Sequence, residues 1–389
     1  MFLKQFTYSE DILQAIWKEL WFDVSGLQTT DGKGVKILHP GVQNLSDGPD
    51  FLNAKICIDS ITFVGAIELH IANKSWYEHG HHVDLNYEKV VLHVVADLGG
   101  GAPVQTKLGG QVPTLNLLPH FSDDLTDFLA AYSQPSGLPC TSQGVNFISE
   151  VAFLAQFEKA HQEYLDKKVD DFYAFFDATL TPSVAWKYAL ITALFDGFGI
   201  SKNRSQMRQV AELLINEHQE MNMLDTGELW QQIRIAENSR TLVWNTKGVR
   251  PNHQPTNRLP ALFTLADHIL SRPLNEFLSL KYANCWQTLL AEAGIKGKHI
   301  QILYGIVFLP AIYALASMLE HKSLKTNVWN EWSELRSPVP SSLLSAFTGL
   351  PKNVQDKVFD KLGAVHQLKT YCSARRCEQC EVLKKAISS

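Results

Sequence analysis

The feature that most constrains this chain is a change of hydrophobic period near residue 148. Before it, short apolar runs recur at strand spacing; after it, long runs recur at helical spacing, as in "SEVAFLAQFEKAHQEYLDKKVDDFYAFF" and "SVAWKYALITALFDGF". A strand presents alternate residues to one face and a helix every third or fourth, so one packing plan cannot serve both halves. With 389 residues the chain has length for two or three cores. The spacing predicts an α+β region over residues 1–130, a linker over 131–147 rich in Pro, Gly and Ser, and an all-α region over 148–389.

Within the first region, Ser9 is set to cap a helix with Glu10 and Asp11 in its first turn and Leu13, Ile16, Trp17 and Leu20 on one face. Strands are expected near 35–39, 51–58, 61–71 and 88–97, then a hairpin turning at Gly109-Gly110. The apolar stretch 302–319, short for spanning and containing Pro310, reads as a buried core helix, and the N-terminus lacks the regions of a signal peptide. Six cysteines in so long a chain do not make a secreted disulfide framework, so a cytoplasmic protein with no membrane span is expected.

Charge divides the chain too. Residues 1–150 hold 8 Lys, no Arg and 17 Asp plus Glu; the remainder holds 27 basic and 23 acidic residues, and the first arginine is Arg204. Phosphate backbones demand cations, so a bound nucleic acid would rest mainly on the second half. Candidates there are Lys202 and Arg204 in "GISKNRSQMRQ", and Arg250 and Arg258 flanking the helix start in "GVRPNHQPTNRL". An interdomain clamp explains those two arginines equally well.

The hairpin "SDGPDFLNAKICIDSITFVGAIELHI" carries the first site. Glu68 and His70, two apart on a strand, share a face, and Asp50 stands at the mouth of the preceding strand. A two-residue Asp59-Ser60 turn would set Asp50 opposite Leu69, on the wrong face. A three-residue turn or a bulge bringing Asp50 opposite His70 is therefore expected. His70, His79, His81, His82 and His93 add five imidazoles within 24 residues. Of these His81 is a further candidate ligand, whereas 79–82 otherwise read as a solvated loop and His93 as a core histidine.

A helix, three strands, "PD" before the second and Glu-x-Lys or a variant on the third resemble the core of the PD-(D/E)XK nuclease superfamily. His70 stands in the usual Lys place. "WYEHGHHVD" is also similar to the His-rich stretch of very-short-patch mismatch endonucleases. The resemblance implies that Asp50 and Glu68 hold Mg²⁺ or Mn²⁺, and that His70 ligates or moves a proton. Glu10 is an additional candidate, and Lys55 or Lys74 could replace the missing lysine. Over nearly its whole length, through "GPDF", "GAIELHI", "SWYEHGHH" and "YCSARRCEQC", the chain is also similar to an uncharacterised bacterial domain-of-unknown-function family (DUF2851-like), which brings no activity with it.

The tail holds Cys372, Cys377 and Cys380. Three converging thiols imply an iron–sulfur cluster or Zn²⁺ with a fourth ligand from Cys140, His366 or Cys285. Together these readings point to a metal-dependent endonuclease or exonuclease acting on DNA or RNA. Two alternatives are a non-catalytic nucleic-acid-binding scaffold and a hydrolase of small phosphoesters.

Overall fold

The computed structural model describes residues 9–97, 99, 101–134, 137–142, 145, 148–199, 202–249, 254–278, 286–288, 290–291, 294–295 and 298–387. It is a mixed α+β protein of two compact units. The first comprises Met1–Gln156, Ser345–Gln355 and Leu368–Ser389, and the second Phe157–Leu344 and Asp356–Gln367. The polypeptide thus returns twice to the first unit, a path that composition along the chain does not register.

In the first unit, α1 (Glu10–Lys18) buries Ile12, Leu13, Ile16 and Trp17; Ser9 is its N-cap residue by backbone conformation. Leu20 lies past the helix end in the left-handed region, at φ 53°. The strands are β1 (Val35–His39), β2 (Val42–Gln43), β3 (Phe51–Ile58), β4 (Ile61–His70) and β5 (Val90–Val95). They are followed by β6 (Val104–Gln105), β7 (Gln111–Val112) and β8 (Thr114–Asn116). The main sheet runs β1-β3-β4-β5-β8, with β2 also on β3, while β6 and β7 form the expected small hairpin. The sheet is antiparallel up to β4 and parallel from β4 through β5 to β8. β8, three residues behind Pro113, carries too short a pattern to be read as a strand of the main sheet from sequence.

Gly65 is where β4 passes from one partner to the next. A Cβ there would lie 2.4 Å from Val91 Cγ1 and 2.5 Å from the Lys89 carbonyl, so only glycine admits β5 this close. Between β4 and β5 the chain forms α2 (Ser75–Glu78) and two 3₁₀ turns, His81–Val83 and Leu85–Lys89. After β8 come α3 (Asp123–Tyr132), capped by the Ser122 hydroxyl, and the turn Pro139–Thr141.

The second unit is helical among its described residues. α4 (Pro182–Phe198), α5 (Arg204–Met221), α6 (Thr226–Asn238) and α7 (Pro255–Ser271) pack with later helices around Trp186, Phe195, Phe308 and Trp332. One described helix, Ile300–Met318, is long and apolar enough to cross a membrane, and 67% of its apolar window is buried inside the unit. Ahead of Pro310 it widens into a π turn at Tyr304–Phe308.

Candidate metal centre

The β3-β4 hairpin closes with the two-residue turn Asp59-Ser60, both residues at positive φ (45° and 73°), as a primed turn requires. The pairing Ala54↔Gly65 becomes Phe51↔Ile67, a shift of one residue at a bulge where Asn53 has φ 56°. The expected bulge is present, but one added residue moves Asp50 level with Glu68, not with His70. Side chains and backbone then interlock. Asp50 N–H donates to Glu68 Oε2 (3.1 Å), and Leu69 N–H donates to Asp50 Oδ2 (2.9 Å). Gln14 Nε2 on α1 donates to Asp50 Oδ1 (2.7 Å).

The parallel register continues the site across the sheet, pairing Glu68 with His93 and His93 with Thr114. His70, two residues along β4, meets His93 through Nδ1···Nε2 at 2.9 Å and His79 through Nε2···Nδ1 at 3.1 Å. His81 Nε2 lies 3.1 Å from Glu68 Oε1, and His70 Nε2 lies 3.6 Å from the same oxygen. Trp76 fixes the far side, edge-on to His81, with its indole N–H on the Gln105 carbonyl; Tyr87 stacks on His81 with ring centres 3.8 Å apart.

Burial sets the charges. Asp50 is pushed up to about 7 by desolvation, then by Glu68, and Glu68 to about 8 by desolvation. Desolvation pushes His70 down to about 2 and His93 to about 3, so both rings are neutral at pH 7. Each then carries a single proton, and the chain of hydrogen bonds fixes where. Thr114 O–H donates to the Ala102 carbonyl (2.7 Å), so its oxygen accepts from His93 Nδ1–H at a long 3.4 Å. His93 Nε2 is then an acceptor, His70 Nδ1 the donor to it, and the lone pair of His70 Nε2 faces His79 and Glu68.

Asp50, Glu68, His70 and His81 therefore come together. Glu10 acts electrostatically on Asp50, Glu68 and His81 without a hydrogen bond to any of them. Lys55 is exposed, and Lys74 pairs with Glu78 at the surface, so neither joins the cluster. Three participants were not legible as such. Gln14 had the signal of standing four residues after Glu10 on one helix face; His79 was grouped with a solvated loop; Thr114 stood on a strand that sequence reading did not assign to the sheet.

The tail belongs to the first unit. Cys140 lies within electrostatic reach of Cys372, Cys377 and Cys380, and burial together with those thiols pushes its own thiol well up. All four are free of disulfides. Arg375 holds the tail loop to the end of α3 by donating to the Tyr132 carbonyl, while Tyr132 O–H donates to the Arg375 carbonyl (3.1 Å). His366 instead faces Glu163, within the second unit, and Cys285 lies outside the described residues.

The basic candidates are engaged inside the second unit. Arg204 and Arg208 both bind the buried Asp196, Lys202 donates to the Lys247 carbonyl, and Arg258 is buried, donating to the Phe198 carbonyl. Arg250 lies outside the described residues.

Fold and cluster define an α+β protein with a buried carboxylate and imidazole centre at the parallel end of its sheet. The chain belongs to the protein family of unknown function DUF2851, whose family model matches residues 10–224. No curated protein and no solved structure matches it.

Proposed function

We propose that the first unit is a divalent-metal-dependent hydrolase of phosphodiester bonds. The observation that carries the reading is the meeting of Asp50 and Glu68, both raised in pKa, with the imidazoles of His70 and His81. Groups so buried and so mutually repelling hold protons in a cation's absence and release them to one. The donor set fits a divalent cation, which supplies polarisation of a phosphoryl oxygen and of the attacking water. Helix α1 followed by the antiparallel strands β1, β3 and β4 and, after α2, by the parallel β5 agrees with the resemblance to PD-(D/E)XK nucleases and supports the same reading.

In the reaction a water oxygen adds to phosphorus as the ester P–O bond breaks. The water's proton passes to a neighbouring carboxylate, and the leaving oxygen takes one from solvent. Glu68 is the acceptor nearest the imidazoles; Asp50, gripped by Gln14 and Leu69, holds Glu68 in place through its own N–H. His70 as a neutral ring stays available as a ligand.

One observation favours small phosphoesters over long nucleic acids. Arg204 binds Asp196, Lys202 and Arg258 donate to main-chain carbonyls, and residues 1–150 carry a balance of −9. Comparing single- and double-stranded DNA and RNA with a small phosphodiester as substrates, under Mg²⁺, Mn²⁺ and Zn²⁺, separates the two. Hydrolysis of none of them refutes both.

The four cysteines support a second, structural metal, zinc or iron–sulfur, in a reducing compartment such as the cytoplasm. Their tail packs against α1, the helix that carries Gln14 and Glu10.

A further inference from the structure

We propose that His70, His79 and His81 form a three-imidazole site for a single zinc-class cation, with Glu68 beside that cation as its water's proton acceptor and Asp50 outside its shell. The ligand nitrogens of the three rings lie within 4.8 Å of one another. Metal–nitrogen bonds of about 2.0–2.1 Å put tetrahedral neighbours roughly 3.3 Å apart. His70 Nε2 and His79 Nδ1, at 3.1 Å, already have that spacing.

Lone-pair direction separates this arrangement from a mere hydrogen-bonded histidine cluster. The relay from the Ala102 carbonyl through Thr114 and His93 puts the proton of His70 on Nδ1, leaving Nε2 bare toward His79. His81, 8% exposed, has a buried Nε2 with no hydrogen-bond partner: Glu68 Oε1 is 3.1 Å away but off the line a hydrogen bond needs. A nitrogen stranded in this way costs free energy unless something else accepts its lone pair. His79 is exposed, which leaves one side open for water and substrate, as catalytic three-ligand sites require.

The carboxylates are occupied differently. Glu68 Oε1 touches His70 and His81, and Oε2 takes the Asp50 N–H. Both oxygens of Asp50 accept hydrogen bonds, from Gln14 and Leu69. Three imidazoles are a borderline-soft donor set, suited to Zn²⁺, Fe²⁺ or Co²⁺ and poorly matched to Mg²⁺. The inference rests on the hydrolase reading only for the role given to Glu68.

The test is metal stoichiometry after loading full-length protein with Zn²⁺ and dialysing against excess Mg²⁺. Any zinc on the cysteines is common to all variants and cancels in the comparison. His79→Ala and His81→Ala are expected to hold one equivalent fewer than wild type, and Asp50→Asn and Glu68→Gln the same number as wild type. His79 is exposed, so His79→Ala stays folded, and circular dichroism verifies each variant. Retention of the equivalent by His79→Ala, its loss from Asp50→Asn or Glu68→Gln, or its displacement by Mg²⁺ overturns the site. Protein that binds zinc in the expected pattern yet hydrolyses neither nucleic acid nor a small phosphodiester refutes the hydrolase reading instead, and leaves this site standing.

Discussion

Thr114→Val probes the relay behind His70 with almost no change of shape. Thr114 and His93 are both fully buried, so water cannot replace the hydroxyl. Two responses are open to the molecule. His93 can keep Nδ1–H without an acceptor, which costs about 1–3 kcal/mol for a stranded buried donor. Alternatively the relay reverses: His93 protonates at Nε2, donates to His70 Nδ1, and the His70 proton moves to Nε2, the atom directed at His79. The Ala102 carbonyl loses the Thr114 donor in either case and keeps that of the Asn73 side-chain amide. Chemical denaturation of the metal-free protein should show a loss of about 1–3 kcal/mol. Zinc affinity should fall roughly 10- to 100-fold, the usual effect of removing a partner behind a metal-ligating histidine. ¹⁵N chemical shifts of the His70 ring distinguish the two responses. A wild-type tautomer, stability within about 0.5 kcal/mol of wild type and unchanged affinity would together refute the relay.

The remaining predictions concern pH, the tail and the first helix. Asp50 and Glu68 are raised to about 7 and 8, so their contribution to metal-free stability is full below the ordinary carboxylate range and is lost as pH rises through 7 to 8. His70 and His93 are depressed, so theirs is present above the ordinary imidazole value and is lost as pH falls below it. Metal-free protein should therefore be most stable in mildly acid solution, and zinc should stabilise it most at and above pH 8; thermal melts across pH 5 to 9 check both. Cys377→Ala should release the tail's metal, seen as lost zinc or lost brown colour, and lower the melting temperature of the first unit. Gln14→Leu removes a donor from Asp50, so proton uptake by the pair, followed by titration of metal-free protein, should shift to higher pH.

Much of the first unit was legible because its signals are local. The strands at 35–39, 51–58, 61–70 and 90–95 alternate or run apolar between turn residues, and α1 buries Leu13, Ile16 and Trp17 of the face its spacing assigned, while Leu20 falls past its end. The Asp50 register was only half legible. A bulge follows from the need to bring acid and imidazole to one face, but its place on β3 and not β4 depends on Asn53 adopting a positive φ, which no pattern announces. His79 looked like surface because it is surface: its exposed ring reaches inward by one nitrogen. Arg204 and Arg258 misled in the opposite sense, since a basic run does not disclose that Asp196 or the Phe198 carbonyl waits for it. The grouping of Cys140 with the tail cysteines was open among three partners, and only the return of the chain to the first unit brings it close.

The most direct measurement of the hydrolase reading is the rate of phosphodiester hydrolysis by zinc- or manganese-loaded wild type beside Glu68→Gln, with bound metal quantified in both. Wild type should hydrolyse at least one of DNA, RNA or a small phosphodiester. Glu68→Gln should keep its metal and lose at least 100-fold in rate, the general-base contribution being about 10²–10⁴-fold. Equal rates in the two proteins at equal metal content would contradict the account.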